Sequence, residues 1–199
     1  MKMVLTLAKK QASVLRGIGL GLLISFFLVL YGIIFNPFSG PELETFDEKL
    51  VVFGRCLLIL LFVLILSIAR IARYRFFSSE DIDSTAVAAP SSSLLCPQSI
   101  LQNTLEQTVL ARIVYFLWIL MTPSAWLSVL PLSAGCFLVG RILFIAGFRK
   151  GAASRAIGFA LTFYPTVILF LLLSSVHYVL YAEVLLKAVS PPRQNSICW

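Results

Sequence analysis

Charge is scarce in this chain. Of its 199 residues only 13% are Asp, Glu, Lys or Arg. A soluble domain carries about a quarter. With 59% hydrophobic residues, the chain holds more apolar surface than a core of its own can bury, so its solvent is lipid. Histidine is almost absent: His177 is the only one. It lies beside Tyr178 and near Glu183, and reads as a packing or interfacial residue rather than a base. The four cysteines, Cys56, Cys96, Cys136 and Cys198, form no C-x-x-C and no pair at metal spacing, so no metal site is expected. No Walker loop and no Ser-His-Asp arrangement is present, which leaves no catalytic set of a familiar kind. Neither Asn103 nor Asn195 opens an N-x-[ST] glycosylation acceptor. Cys56 and Cys136 fall inside apolar runs and read as small core residues. Cys96 sits in a polar stretch, where palmitoylation is the sharper reading and an unmodified thiol the plainer one.

Long apolar runs are abundant. Five are spaced along the chain, at about 17–35, 51–71, 100–121, 125–146 and 157–185. Each reaches the roughly 20 residues that a helix needs to cross the hydrocarbon. The expected fold is therefore an all-α integral membrane bundle of five spans. Only "TPS" separates the third and fourth, which predicts a tight antiparallel hairpin. The first run is longer than a signal-peptide core and is not followed by a small-x-small cleavage site, so it reads as a retained anchor.

The formal net charge is +7, and the cations flank the apolar runs. Lys2, Lys9, Lys10 and Arg16 precede the first span; Arg70, Arg73 and Arg75 follow the second; Arg149, Lys150 and Arg155 lie between the fourth and fifth. A cytosolic N-terminus puts all three clusters on one side, as the positive-inside rule asks. The charge then marks topology and affinity for anionic membrane lipid, not nucleic acid. The expected organisation is a cytosolic N-terminus (1–16), a first transmembrane helix (17–35), a luminal loop (36–50), a four-helix domain (51–186) with a cytosolic loop at 72–99, and a luminal tail (187–199). The stretch "EDIDSTAVAAPSSS" in that loop reads as a flexible linker.

Polar groups inside a span are costly and so point to a site. The third span holds Gln102, Asn103, Glu106, Gln107 and Arg112 in its first half. Asn103 and Glu106 share a helix face, which needs a partner helix or a wet cavity. Two readings stand: Glu106 pairs with Arg141 of the fourth span as a buried ion pair, or the face binds a ligand. Arg141, Phe144 and Phe148 fall at i, i+3 and i+7, one stripe of a helix. Arg155 returns to that side if the helix persists past Gly147 and Gly151. The stripe suits an anionic, partly apolar ligand; topogenic charge in contact with lipid headgroups is the plainer reading.

The spacing Asn103-x-x-Glu106 in one span, with Arg141, Gly147 and Phe148 in the next and then Arg155, resembles the membrane-associated proteins in eicosanoid and glutathione metabolism (MAPEG). These include the microsomal glutathione transferases and leukotriene C4 synthase. The resemblance covers about Leu50 to Ala182, a MAPEG-like four-helix bundle, and makes the first span an addition to it. It implies a homotrimer with glutathione between subunits near the cytosolic face. By position it implies Asn103, Glu106, Arg141, Phe144, Phe148 and Arg155 as glutathione-binding residues, with Arg155 at the sulfur as the catalytic residue if the protein is glutathione-dependent. The family usually has arginine where this chain has Ser99 and tyrosines where it has Phe144 and Phe148. Each lost hydrogen bond is worth about 1 kcal/mol or more; together they reduce affinity by over about a hundredfold.

"RAIGFALTFYPTVILF" (Arg155 to Phe170) and "ELETFDEKLVVFGR" resemble the mattrin-like branch of the same superfamily. That branch implies a protein of the secretory and lysosomal pathway, in the endoplasmic reticulum, Golgi or lysosome; with the lost glutathione-binding groups, the leading reading is non-catalytic. Its role there is trafficking and quality control of membrane-protein clients, including Wnt receptors. The alternative is a glutathione-dependent transferase or peroxidase acting on lipophilic substrates.

Overall fold

A computed structural model describes residues 2–38, 45–78 and 92–189. The described residues form helices and no strands. In chain order these are α1 (Lys2–Phe35), α2 (Phe46–Phe76), α3 (Ser92–Met121), a 3-10 turn (Ser124–Trp126), α4 (Val129–Phe148) and α5 (Ala152–Val189). All five α-helices are long and apolar enough to cross a membrane, the fourth counted with the 3-10 turn. The helices outrun the apolar segments: α1 begins near the N-terminus, α2 runs past Ile71 to Phe76, and α3 starts at Ser92 rather than Ile100. A helix satisfies its own backbone hydrogen bonds, so it does not stop where hydrocarbon ends. Of the loop expected at 72–99, residues 72–76 and 92–99 are helical. Most of the expected linker, and the tail from 190 with Cys198, lie outside the described residues.

Local chemistry fixes the ends. Thr45 and Glu48 make a reciprocal capping box at the start of α2: Thr45 N–H donates to Glu48 Oε2 at 3.0 Å, and Glu48 N–H donates to Thr45 Oγ1 at 3.4 Å. This satisfies two orphan donors of the first turn. The neighbouring Lys49 donates to the carbonyl of Thr122 at 2.9 Å, tying α2 to the C-terminal end of α3. Close by, the Phe38 N–H donates to Ser128 Oγ at 2.8 Å, which holds the end of α1 against the α3–α4 turn.

α3 packs mainly against α2, and α4 mainly against α5; α1 lies along α5. The expected tight α3/α4 hairpin is thus not a main packing pair. Its connecting turn carries Trp126, whose carbonyl accepts from Trp118 Nε1 at 3.1 Å. The two indoles lie 6.3 Å apart at its base. The core is a continuous apolar cluster around Trp118, Tyr115, Phe137 and Leu130. The outer faces carry Phe27, Leu58, Phe62 and Ile65, the inside-out pattern that lipid tolerates.

α4 and α5 touch backbone to backbone. A Cβ on Gly158 would overlap the backbone N of Phe144, and one on Gly147 would overlap the carbonyl of Ser154. The turn between them needs Gly151, at φ +111°, a conformation costly for any residue with a Cβ. Pro165 inside α5 has no N–H, so the Leu161 carbonyl loses its i+4 donor. The Cys136 thiol takes that place, donating to Leu161 O at 3.3 Å. The sequence showed Cys136 only as a small core residue.

Candidate functional site

Arg141 lies in the third turn from the end of α4 with no exposed surface. Close contact through Gly140 and Gly158 brings α5 beside it. Its Nη2 donates to Thr162 Oγ1 at 2.5 Å and its Nη1 donates to Asn103 Oδ1 of α3 at 2.8 Å. Its Nε has no hydrogen-bond partner among the described residues. The guanidinium sits 4.5 Å from the Phe144 ring centroid and 5.8 Å from that of Phe137. Such desolvated cation–π contacts are worth up to about 2 kcal/mol. The cation is thus held by two neutral oxygens and two rings, with no carboxylate partner among the described residues.

Of the two readings of Glu106, the buried ion pair with Arg141 is not formed. Glu106 lies on the exposed face of α3 and accepts from Gln102 Nε2 at 2.9 Å. Three residues place Asn103 and Glu106 within about 60° of one another around the helix. That angle is enough for Asn103 to turn inward to α4 while Glu106 turns outward. Arg112 is also exposed, whereas Gln107 is buried.

The stripe itself is continuous. Phe144 and Phe148 meet edge to face at 5.4 Å, and Arg155 stacks on Phe148 at 4.6 Å. The cation–aromatic–aromatic–cation order survives the break in the helix at Gly151. Beside it is a cavity of about 530 Å³, lined by Asn103 and Ser99 of α3, Phe144 and Phe148 of α4, Arg155 and Phe159 of α5, and Val14 and Ile18 of α1. Four of the six expected residues therefore border one cavity. Arg141 stands behind its wall, and Glu106 faces elsewhere. It lines an open groove of about 870 Å³ between α2 and α3, with Arg75, Gln98 and Gln102; Asn103 reaches both spaces.

Four contributors stand outside the site residues read from the sequence. Thr162 lies seven residues after Arg155, on the same α5 face, and that spacing was readable. Arg75 was counted only as a topogenic cation. Val14 and Ile18 belong to α1, which the family resemblance makes an addition to the bundle. The turn after α4 is tethered as well. The Cys96 thiol and the Tyr74 hydroxyl beside Arg149 push its guanidinium above its ordinary value, and Arg149 donates to Tyr74 Oη at 3.3 Å.

The cavity can do limited chemistry. The Arg141 fork occupies Asn103 Oδ1, so the Asn103 amide N–H groups are the ones left for the cavity. With Arg155 they offer donors and positive charge. Among the described residues, no acid, thiol or histidine lines it to serve as a general base.

This is a polytopic helical membrane protein with a donor-lined, mainly apolar cavity at the end of the bundle that carries its cationic turn. The chain belongs to the MAPEG family, whose model matches residues 51–175. It is 30% identical over 166 residues to bovine transmembrane protein 79, covering 81% of this chain and 40% of that protein. It is 29% identical to the mouse transmembrane protein 79 over the same length and shares. The chain spans about two fifths of the length of these curated relatives. No solved structure matches it.

Proposed function

We propose that this is a non-catalytic, trimeric, mattrin-like protein of the endoplasmic reticulum, Golgi or lysosome, with its N-terminus in the cytosol. It acts by lateral helix contacts in the trafficking or quality control of other membrane proteins, Wnt receptors among them. One observation carries this reading: the Gln102–Glu106 pair sits on the outward surface of α3. Glu106 lies roughly 9 Å into the apolar run that begins near Ile100, at 1.5 Å per residue. A carboxylate there is costly against hydrocarbon, so protein covers this groove. Other copies of the chain cover it within the trimer, and client helices meet the assembly at the same polar seam.

A photo-crosslinking residue at Leu105, which lines the groove, tests this against one at Leu58 on the outer face of α2. The expected result at Leu105 is a ladder of two and three protomers, together with adducts to a Wnt receptor co-expressed as client; Leu58 gives neither. A Leu105 pattern no different from Leu58 would overturn the reading.

The second reading is a glutathione-dependent transferase or peroxidase. It is favoured by the grouping of Asn103, Phe144, Phe148 and Arg155 around one cavity, and weakened by the two phenylalanines, which offer a thiolate no hydroxyl.

A further inference from the structure

The first helix is part of the cavity, and its attachment is specific. Gly17, Gly21 and Ser25 repeat every four residues along α1. A Cβ on Gly17 would sit 3.0 Å from the Ala156 Cβ, and one on Gly21 would overlap the Ala160 Cβ. Ser25 has no exposed surface, and its hydroxyl donates to the Gly21 carbonyl at 2.7 Å. This is a small-residue seam that brings two membrane helices together, here α1 and α5. The seam sets α1 so that Val14 and Ile18 line the same cavity as Asn103 and Arg155. The first helix therefore contributes two residues to the cavity wall.

Its lining sorts ligands by charge. Arg155 and the Asn103 amide donate; the remaining walls are apolar, apart from Ser99; among the described residues no carboxylate lines it. The nearest acid on α3, Glu106, lies in the other groove. A zwitterionic peptide would bring an ammonium with no partner, and a buried unpaired charge is strongly disfavoured. An anionic headgroup on a hydrocarbon chain leaves nothing unpaired. Exposed cations at the same end of the bundle, including Lys10, Arg16 and Lys150, draw anionic lipid toward the opening.

We infer that the cavity between α1, α3, α4 and α5 is a binding site for an anionic glycerophospholipid taken from the membrane, with its phosphate at Arg155 and the Asn103 amide and an acyl chain along Ile18 and Phe159. This rests on the non-catalytic reading and gives that cavity a ligand.

The test uses the full chain purified in neutral detergent. Dioleoyl phosphatidic acid is titrated, with dioleoyl phosphatidylcholine and soluble glycerol 3-phosphate beside it, and binding is read by native mass spectrometry and thermal stability. The expected result is saturable binding of phosphatidic acid that raises the melting temperature, at least tenfold tighter than either control. Arg155→Gln removes the cation and Ile18→Trp fills the cavity from the α1 side; each is expected to weaken phosphatidic acid at least tenfold. Arg155→Lys keeps most of the binding and shows that charge, not folding, is being read. Equal binding of phosphatidylcholine, equal binding of glycerol 3-phosphate, or undiminished binding in both Arg155→Gln and Ile18→Trp overturns the proposal. Glutathione added to the same protein separates the two readings. A glutathione thiolate signal sinks the non-catalytic reading whatever the lipid does. Absence of both ligands sinks the lipid site alone.

Discussion

Gly158→Leu is expected to abolish a folded, monodisperse protein in detergent. Gly158 is the point of closest approach between α4 and α5. Its Cβ would meet the backbone N of Phe144 and, at 2.7 Å, the Phe144 Cα and the Gly140 carbonyl. These are backbone atoms, and no rotamer change moves them aside. The helices must separate, and the Arg141–Thr162 contact then opens. Overpacking of a core usually costs about 1–3 kcal/mol; here the obstacle is two main chains, and the loss is expected to exceed ~3 kcal/mol. Removing a helical glycine returns only about 1 kcal/mol. Gly54→Leu is the control, because a Cβ there meets nothing within 4 Å and the change in propensity is the same. Size-exclusion profiles and melting temperatures of the two variants decide it. Gly158→Leu behaving like wild type would mean that α4 and α5 are not in backbone contact.

Arg141→Ala is expected to cost about 3–5 kcal/mol, the range for truncating a large, fully buried side chain. It removes a group with no exposed surface and leaves Asn103 Oδ1 and the Phe137 and Phe144 rings facing a void. Arg141→Met is expected to cost less than half as much. It keeps most of the volume and relieves a buried cation that has no carboxylate, and replacing buried charge by apolar bulk is often neutral. Thermal unfolding in detergent reads both. Equal losses would show that the guanidinium hydrogen bonds, rather than packing, hold this end of the bundle. The methionine variant has a second use. Its Asn103 is free to turn, so its folded protein is expected to bind phosphatidic acid more weakly than wild type.

Much of this was legible in the sequence. Five apolar runs of about 20 residues gave five spans, because lipid leaves a helix no other way to satisfy its backbone. The i, i+3, i+7 spacing gave the Arg141–Phe144–Phe148 stripe, because one helix determines its own faces. Thr45-x-x-Glu48 is a readable capping box, and it starts α2 ahead of the apolar run. What failed depended on how one helix is rotated against another. Asn103 and Glu106 share a face in sequence, yet α2 and α4 divide that face between a cavity and an outer groove. The wall contributed by Val14 and Ile18 was hidden for a similar reason. The repeat Gly17, Gly21, Ser25 signals a close helix contact, but only Ala156 and Ala160 of a distant helix say with what.

The most direct test of the account is whether the cavity activates a thiol. Glutathione is titrated into the purified protein by calorimetry, with thiolate absorbance followed in parallel and with Arg155→Ala beside the wild type. The account predicts no saturable heat up to about 10 mM, a binding free energy weaker than ~3 kcal/mol, and no thiolate. Saturable millimolar or tighter binding with thiolate formation, both lost in Arg155→Ala, would contradict it and make this chain a glutathione-dependent enzyme.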